Sequence, residues 1–142
     1  MCYDAMDVAK YIITRCTNMG KPVSNLKLQK MLYFLWIGFF EITGEILFNN
    51  DICAWQLGPV VPDVYYEYCS YAGLPINAKY LNTIERSDKK ILDDLIEKYI
   101  DISAFQMVNL THVSGGAWDT IYRDGIGNRS VIPFQLIIDK GI

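Results

Sequence analysis

The apolar positions near the N-terminus recur at the spacing of a helix. Asp4 stands where an N-cap residue would, and Gly20 with Pro22 ends the periodic stretch. The positions that share one face between them are Val8, Ala9, Ile12, Ile13 and Cys16. This pattern predicts a first helix with one buried face.

A second, longer helix is predicted from Asn25 to Thr43, with Ser24 as its N-cap, and it would be ~28 Å long. One face carries Leu28, Met31, Leu32, Leu35, Trp36 and Phe39, and the other faces carry Phe34, Ile37 and Phe40. Apolar residues on nearly every side indicate a central helix. Its uncharged run, residues 31–40, is about half of the ~20 residues that a membrane span needs, so we expect no membrane association.

Two short β-compatible runs follow, residues 46–48 and 52–55, around the turn-forming cluster Asn49-Asn50-Asp51. They predict a small hairpin, which must rest on a helical body because a two-stranded ribbon is not stable alone. Pro62 suits the first turn of a third helix that ends by Gly73. Residues 74–84 are predicted to be a loop with a possible short extended or helical piece.

Ser87 is the predicted cap of a fourth helix, and Ser103 begins a fifth that passes through Val108 and His112 and ends at Gly115-Gly116. Trp118, Ile121 and Tyr122 lie on a further turn or two. Residues 131–138 are strand or helix by composition, and Pro133 favours helix. The fold class expected is mainly α: one compact domain over residues 1–142, a helical bundle with a small β-hairpin inserted between helices two and three.

Composition and charge narrow the possible partners. The 142 residues are 51% hydrophobic and carry a net charge of −3, with a pI near 5.0 and no basic cluster, so direct nucleic-acid binding is not expected. The four cysteines show no CxxC spacing and follow no signal peptide, which indicates reduced thiols and a cytoplasmic location. With cysteines so scattered and a single histidine, we expect no metal and no cofactor.

His112 is that single histidine, so any catalysis through an imidazole must use it. A small enzyme that pairs His112 with Cys53, Cys69 or Asp119 is one hypothesis. The interpretation favoured is structural, with His112 hydrogen-bonded beside Thr111 at a helix end. We therefore expect no enzymatic activity.

The loop after Trp55 is constrained, because Gly58 can take a positive φ and Pro59 fixes its own φ. Such a loop either packs the hairpin onto helix two or offers a rigid surface to a partner. Tyrosines on helix three lie beside it, and exposed tyrosine is typical of protein interfaces. The candidate partner-binding residues are Trp55, Gly58, Pro59, Val60, Tyr65 and Tyr66.

Three sequence elements together resemble one family. They are residues 27–33 (Lys-Leu-Gln-Lys-Met-Leu-Tyr), Ala54-Trp55 with residues 58–62 (Gly-Pro-Val-Val-Pro), and Leu110-Thr111-His112 with Trp118. The chain is similar to the Panacea domain, also called the SocA-like or phage-associated GepA-type domain. It departs from the usual pattern at Cys53, Ser114 and Ala117, where two acidic residues and a proline are frequent.

The resemblance implies a mainly helical antitoxin from a bacterial or prophage toxin–antitoxin pair. Such a protein would bind and neutralise a cognate toxin encoded by the adjacent gene. Thr111, His112 and Trp118 would form a structural motif. The alternative that the resemblance leaves open is a proteolytic adaptor that delivers a bound client to a protease.

Overall fold

The computed structural model describes residues 2–141, which form seven α-helices and one short β-hairpin. The elements are α1 Ala5–Asn18, α2 Asn25–Thr43, β1 Cys53–Trp55, β2 Gly58–Val60, α3 Pro62–Tyr68, α4 Arg86–Tyr99, α5 Ala104–Thr111, α6 Ala117–Tyr122 and α7 Phe134–Lys140. The expected mainly α fold, with a hairpin between helices two and three, is confirmed. No helix in this described range is both long and apolar enough to span a bilayer.

Helix α2 is the centre of the molecule, and it contacts α1, α3, α4, α5, α7 and β2. Its predicted bounds and its Ser24 cap are confirmed, and Gly44 ends it in the left-handed conformation with φ +75°. Trp36 is fully buried, and its indole nitrogen donates a hydrogen bond to the Phe48 carbonyl at 3.0 Å. A helix apolar on several faces is thus buried on several faces, as the sequence predicted.

Helix α1 has the predicted Asp4 cap, whereas the predicted Ser87 cap of α4 is wrong. Helix α4 begins at Arg86, after Glu85, so Ser87 lies inside it. A distant residue fixes this start: the Tyr3 hydroxyl accepts a hydrogen bond from the Glu85 amide at 3.0 Å and donates one to Asp88 at 2.5 Å. A tertiary contact therefore takes the place of a local cap.

The hairpin was predicted with the wrong strands. Strand β1 pairs antiparallel with β2, in the register Cys53–Val60, Ala54–Pro59 and Trp55–Gly58, whereas residues 46–48 form only an isolated bridge between Phe48 and Tyr3. The turn is Gln56-Leu57, which lacks the glycine or asparagine of common hairpin turns. Pro59 is tolerated in β2 because the strand pairing requires no backbone N–H donor at this position.

The segment before α7 lies along the other edge of β1. The Arg129 amide donates to the Ala54 carbonyl at 2.6 Å, the Ala54 amide donates to the Ser130 carbonyl at 2.8 Å, and the Ile132 amide donates to the Ile52 carbonyl at 2.7 Å. Pro133 then precedes Phe134, the first residue of α7. Residues 131–138 are therefore partly strand-like and partly helical.

The remaining predicted helices are present, but the fifth was predicted to end at Gly115-Gly116 and is shorter. Ser103 caps α5 in a capping box with Gln106, although the helix ends at Thr111 and His112 is its C-cap. Residues 74–84 form no helix or strand. The loop is fixed instead by contacts to other parts of the chain, such as the hydrogen bond from the Ile76 amide to the Val23 carbonyl at 2.8 Å.

Candidate partner-binding surface

Three buried polar residues on α2 hold the chain that runs from β2 into α3. The Lys30 ammonium donates to the Pro59 carbonyl at 2.9 Å, and the Gln29 side-chain oxygen accepts from the Val61 amide at 2.9 Å. Asn25 accepts a hydrogen bond from the Gln29 amide group at 3.0 Å and donates one to the Tyr65 carbonyl at 3.1 Å. The first turns of α2 and the chain from β2 into α3 thus form one hydrogen-bonded unit.

Gly58 lies where the hairpin, α2 and α5 meet. Its φ of +109° lies in the region that favours glycine, and a Cβ there would be 2.7 Å from the Thr111 hydroxyl oxygen and 2.9 Å from Lys30 Cε. Thr111 is itself buried, and its hydroxyl donates to the Val108 carbonyl at 2.7 Å. This position accepts no side chain without rearrangement.

The charge of Lys30 is held inside the protein. Its side chain is fully buried and, within residues 2–141, forms no ion pair. Burial lowers the pKa of Lys30 to about 7, because the charged form loses its hydration. Burial, and then the nearby Lys30 charge, also lower the pKa of His112, against a smaller opposing effect of Asp119.

Trp118 connects α6 to the hairpin. Its indole nitrogen donates to the Trp55 carbonyl at 2.7 Å, and its ring stacks on His112 at 3.8 Å and on Tyr122 at 4.5 Å between centroids. The predicted hydrogen bond of His112 does not appear among the described residues, and stacking orients the imidazole instead. Thr111 and Trp118 thus meet the turn end of the hairpin, at Gly58 and Trp55, and His112 stacks on Trp118 beside them.

Among residues 2–141, no hydrogen bond joins the His112 side chain to Cys53, Cys69 or Asp119, the partners proposed for catalysis. The Cys53 thiol is buried in β1, and burial raises its pKa. The Cys69 thiol is exposed and donates to the Tyr66 carbonyl at 3.3 Å, while Asp119 accepts a hydrogen bond from the Gly115 amide at 2.9 Å. In the part of the chain that the structure describes, no three His, Cys, Asp or Glu side chains converge as metal ligands would.

An aromatic cluster lies on the surface next to the hairpin turn. The ring centroids of Trp55 and Tyr65 are 4.8 Å apart, those of Trp55 and Tyr66 are 6.0 Å apart, and those of Tyr65 and Tyr66 are 5.6 Å apart. The guanidinium of Arg129 lies 4.3 Å from the Trp55 centroid, and Leu57 borders the same shallow pocket. We call these five residues, Trp55, Leu57, Tyr65, Tyr66 and Arg129, the aromatic surface.

The predicted partner-binding residues divide into two groups. Gly58, Pro59 and Val60 are buried, whereas Trp55 and Tyr65 are half-buried and Tyr66 is 57% exposed. Sequence reasoning missed Leu57 and Arg129. No local signal could have revealed Arg129, because only the pairing of its segment with β1 brings it to the hairpin.

Comparison with known proteins gives a single consistent result. The family described as Antitoxin SocA-like, Panacea domain, matches residues 28–119, which include Lys30, Gly58, Thr111 and Trp118. Antitoxin SocA of Caulobacter vibrioides (strain NA1000 / CB15N) is 37% identical, in an alignment that covers 83% of this chain and 70% of that protein. No solved structure matches the chain. The chain belongs to the SocA-like antitoxin family that the Panacea domain defines.

Proposed function

We propose that this protein is the cytoplasmic antitoxin of a bacterial or prophage toxin–antitoxin pair and neutralises its cognate toxin, a protein encoded by the adjacent gene, by direct binding. The observation that carries the proposal is the 37% identity to a protein named Antitoxin SocA over 83% of the chain. The family match over residues 28–119 includes the hairpin, Gln29 and Lys30 beneath it, and the helices α3, α4 and α5.

Neutralisation by binding requires no chemistry from the antitoxin. A typical stable interface covers about 800 Å² on each partner, and that area is enough to block an active site or to hold a toxin in an inactive shape. In support, His112 stacks on Trp118, and the Cys69 thiol donates to the Tyr66 carbonyl.

The aromatic surface supports the proposal that the partner binds beside the hairpin. Tryptophan and tyrosine dominate binding energy at many interfaces, since large rigid rings lose little conformational entropy on binding. Trp55, Tyr65 and Tyr66 would contact the toxin directly. Gly58, Pro59 and Val60, which are buried, would act by fixing the backbone beneath those rings.

Co-expression with the adjacent gene tests the proposal. We expect that induction of the neighbouring open reading frame alone arrests growth, that this protein restores growth, and that the two purified proteins co-elute in size exclusion. Neither growth rescue nor a complex, with both proteins expressed at comparable levels, would contradict the antitoxin function.

His112→Ala separates binding from catalysis. If the protein acts by binding, the variant should rescue growth in proportion to the complex that it still forms, and its affinity should account for any loss. Full complex formation with complete loss of rescue would favour an enzyme that uses His112.

Delivery to a protease makes a different prediction from sequestration. We expect the half-life of the toxin in cells to be unchanged or longer when this protein is present, because the bound toxin stays folded. A shorter half-life would favour the adaptor alternative.

A further inference from the structure

We infer that Arg129 is a specificity residue of the aromatic surface and that it binds a carboxylate side chain, Asp or Glu, on the toxin. This inference rests on the proposed function, because it identifies the chemistry by which the partner would be recognised. Arg129 is held at the surface by three separate contacts.

Two of those contacts are made by the side chain itself. The guanidinium carbon lies 4.3 Å from the centroid of the Trp55 ring, and Nη1 donates to the Tyr66 hydroxyl at 3.2 Å. Arg129 is nevertheless exposed. An arginine fixed in this way presents its planar group to solvent with little conformational freedom left to lose on binding.

The third contact fixes the backbone. The Arg129 amide donates to the Ala54 carbonyl at 2.6 Å, and Ser130 accepts from the Ala54 amide at 2.8 Å. Between these bonds Arg129 has φ +70°, in the region that favours glycine. A strained conformation at a non-glycine residue persists only where the surroundings impose it, and such residues cluster at functional sites.

The positive charge of Arg129 has no internal partner in the described part of the chain. The ion pairs found there use Arg15, Lys21 and Lys90. Arginine has five N–H donors. The hydrogen bond to Tyr66 uses one of them, so the others remain available for a group outside the chain.

A carboxylate is the group that matches these donors. The guanidinium fork can form two parallel hydrogen bonds with a carboxylate, and these charge-assisted bonds are stronger than neutral ones. The neighbouring aromatic rings would exclude water from the pair and so reduce its screening. A cationic partner group is disfavoured, because Arg129 already covers the Trp55 face where a cation would bind.

Arg123 provides a matched control. It is also an exposed arginine with a positive φ, +47°, but its side chain forms no hydrogen bond, ion pair or ring contact within residues 2–141. Arg123→Gln and Arg129→Gln therefore change the net charge equally. Only the second removes a guanidinium from the aromatic surface.

The experiment measures the dissociation constant of each variant with the purified product of the adjacent gene, by calorimetry, and checks folding by circular dichroism. We expect Arg129→Gln to weaken binding at least about tenfold, and Arg123→Gln to change it less than about twofold. Arg129→Lys should fall between them, because it keeps the charge but loses the fork. It also keeps the comparison valid if Arg129→Gln proves poorly folded.

Charge exchange then identifies the partner residue. Arg129→Glu should abolish binding, and one Asp→Lys or Glu→Lys substitution in the toxin should restore it. Failure of every toxin substitution to restore binding would overturn the inference.

Other outcomes separate this inference from the proposed function. Arg129→Gln and Arg129→Lys that bind as tightly as the wild type would overturn the role of Arg129 and leave the antitoxin function intact. Tighter binding by Arg129→Gln would also overturn it, since the partner would then supply a cation to the rings. No binding and no growth rescue by the wild type would overturn both.

Discussion

Gly58 shows how a single residue determines the local structure beneath the aromatic surface. A Cβ at this position would overlap the Thr111 hydroxyl and the Lys30 side chain, and its φ of +109° is unfavourable for any other residue. The lack of space for a Cβ and the positive φ therefore each favour glycine at this position. Their separate costs can be measured.

Gly58→Ala should lower the free energy of unfolding by about 2 to 4 kcal/mol, from strain and overpacking together. Gly44→Ala is the control, because Gly44 also has a positive φ, +75°, but nothing lies within 4 Å of its added Cβ. That variant should cost only about 1 kcal/mol. Urea unfolding of both compares them, and equal losses would show that the contacts with Thr111 and Lys30 do not matter.

Lys30 makes stability depend on pH. Its pKa is lowered to about 7 in the folded protein, from an ordinary value of 10.5. Between those values the unfolded chain holds a proton that the folded chain has released, so stability rises with pH. Below pH 7 both states are protonated, and Lys30 contributes no slope.

Between pH 7 and 8.5, the free energy of unfolding should rise by up to about 1.4 kcal/mol per pH unit, and Lys30→Met should remove this slope. The window ends where the thiols of the unfolded chain begin to titrate. Lys79→Met, at an exposed lysine, should leave the slope unchanged. A slope that persists in Lys30→Met would assign it to another group.

At the scale of elements, helix α2 has two functions. Its apolar residues form the core with α1 and α4, while Asn25, Gln29 and Lys30 bind the backbone that leads from β2 into α3. Buried polar groups must be hydrogen-bonded, and here the partners are carbonyl and amide groups that no strand satisfies. The helix therefore determines the path of the chain as well as its packing.

Local patterns predicted the helices well, because caps and apolar spacing are encoded in neighbouring residues. Ser24 and Ser103 cap α2 and α5 as predicted. The hairpin was misplaced since its turn, Gln56-Leu57, carries no turn signal, and long-range contacts decide its pairing. Gln29 and Lys30 are polar residues among the apolar positions of α2, and they were the available clue to the hydrogen-bonded unit beneath the hairpin.

The link between α6 and the hairpin can be tested at Trp118. Trp118→Phe removes the indole donor to the Trp55 carbonyl and leaves a smaller ring in the same place, so we expect a loss of about 1 to 3 kcal/mol by thermal unfolding. Tyr122→Phe keeps a ring stacked on Trp118 and should cost less than about 0.5 kcal/mol. Equal stability of the two variants would show that the indole hydrogen bond is not needed.

At the scale of the whole molecule, antitoxin activity should depend on one face. Tyr66 and Ile42 are similarly exposed, at 57% and 61%, but Ile42 lies near the end of α2, far along that helix from Lys30. Tyr66→Ser should weaken the complex with the toxin at least about tenfold, and Ile42→Ser less than about twofold. Equal effects in a binding titration would place the interface elsewhere.

Within residues 2–141, neither β1 nor β2 has an open edge. One side of β1 pairs with β2 and the other with residues 129–132, while the outer side of β2 is covered by Lys30 and Gln29. We therefore expect that a partner does not add a strand to β1 or β2, which is a common way for extended peptides to bind a sheet. Recognition would then depend on side chains, and the covered strands also give other folded copies of the chain no template for edge-to-edge aggregation.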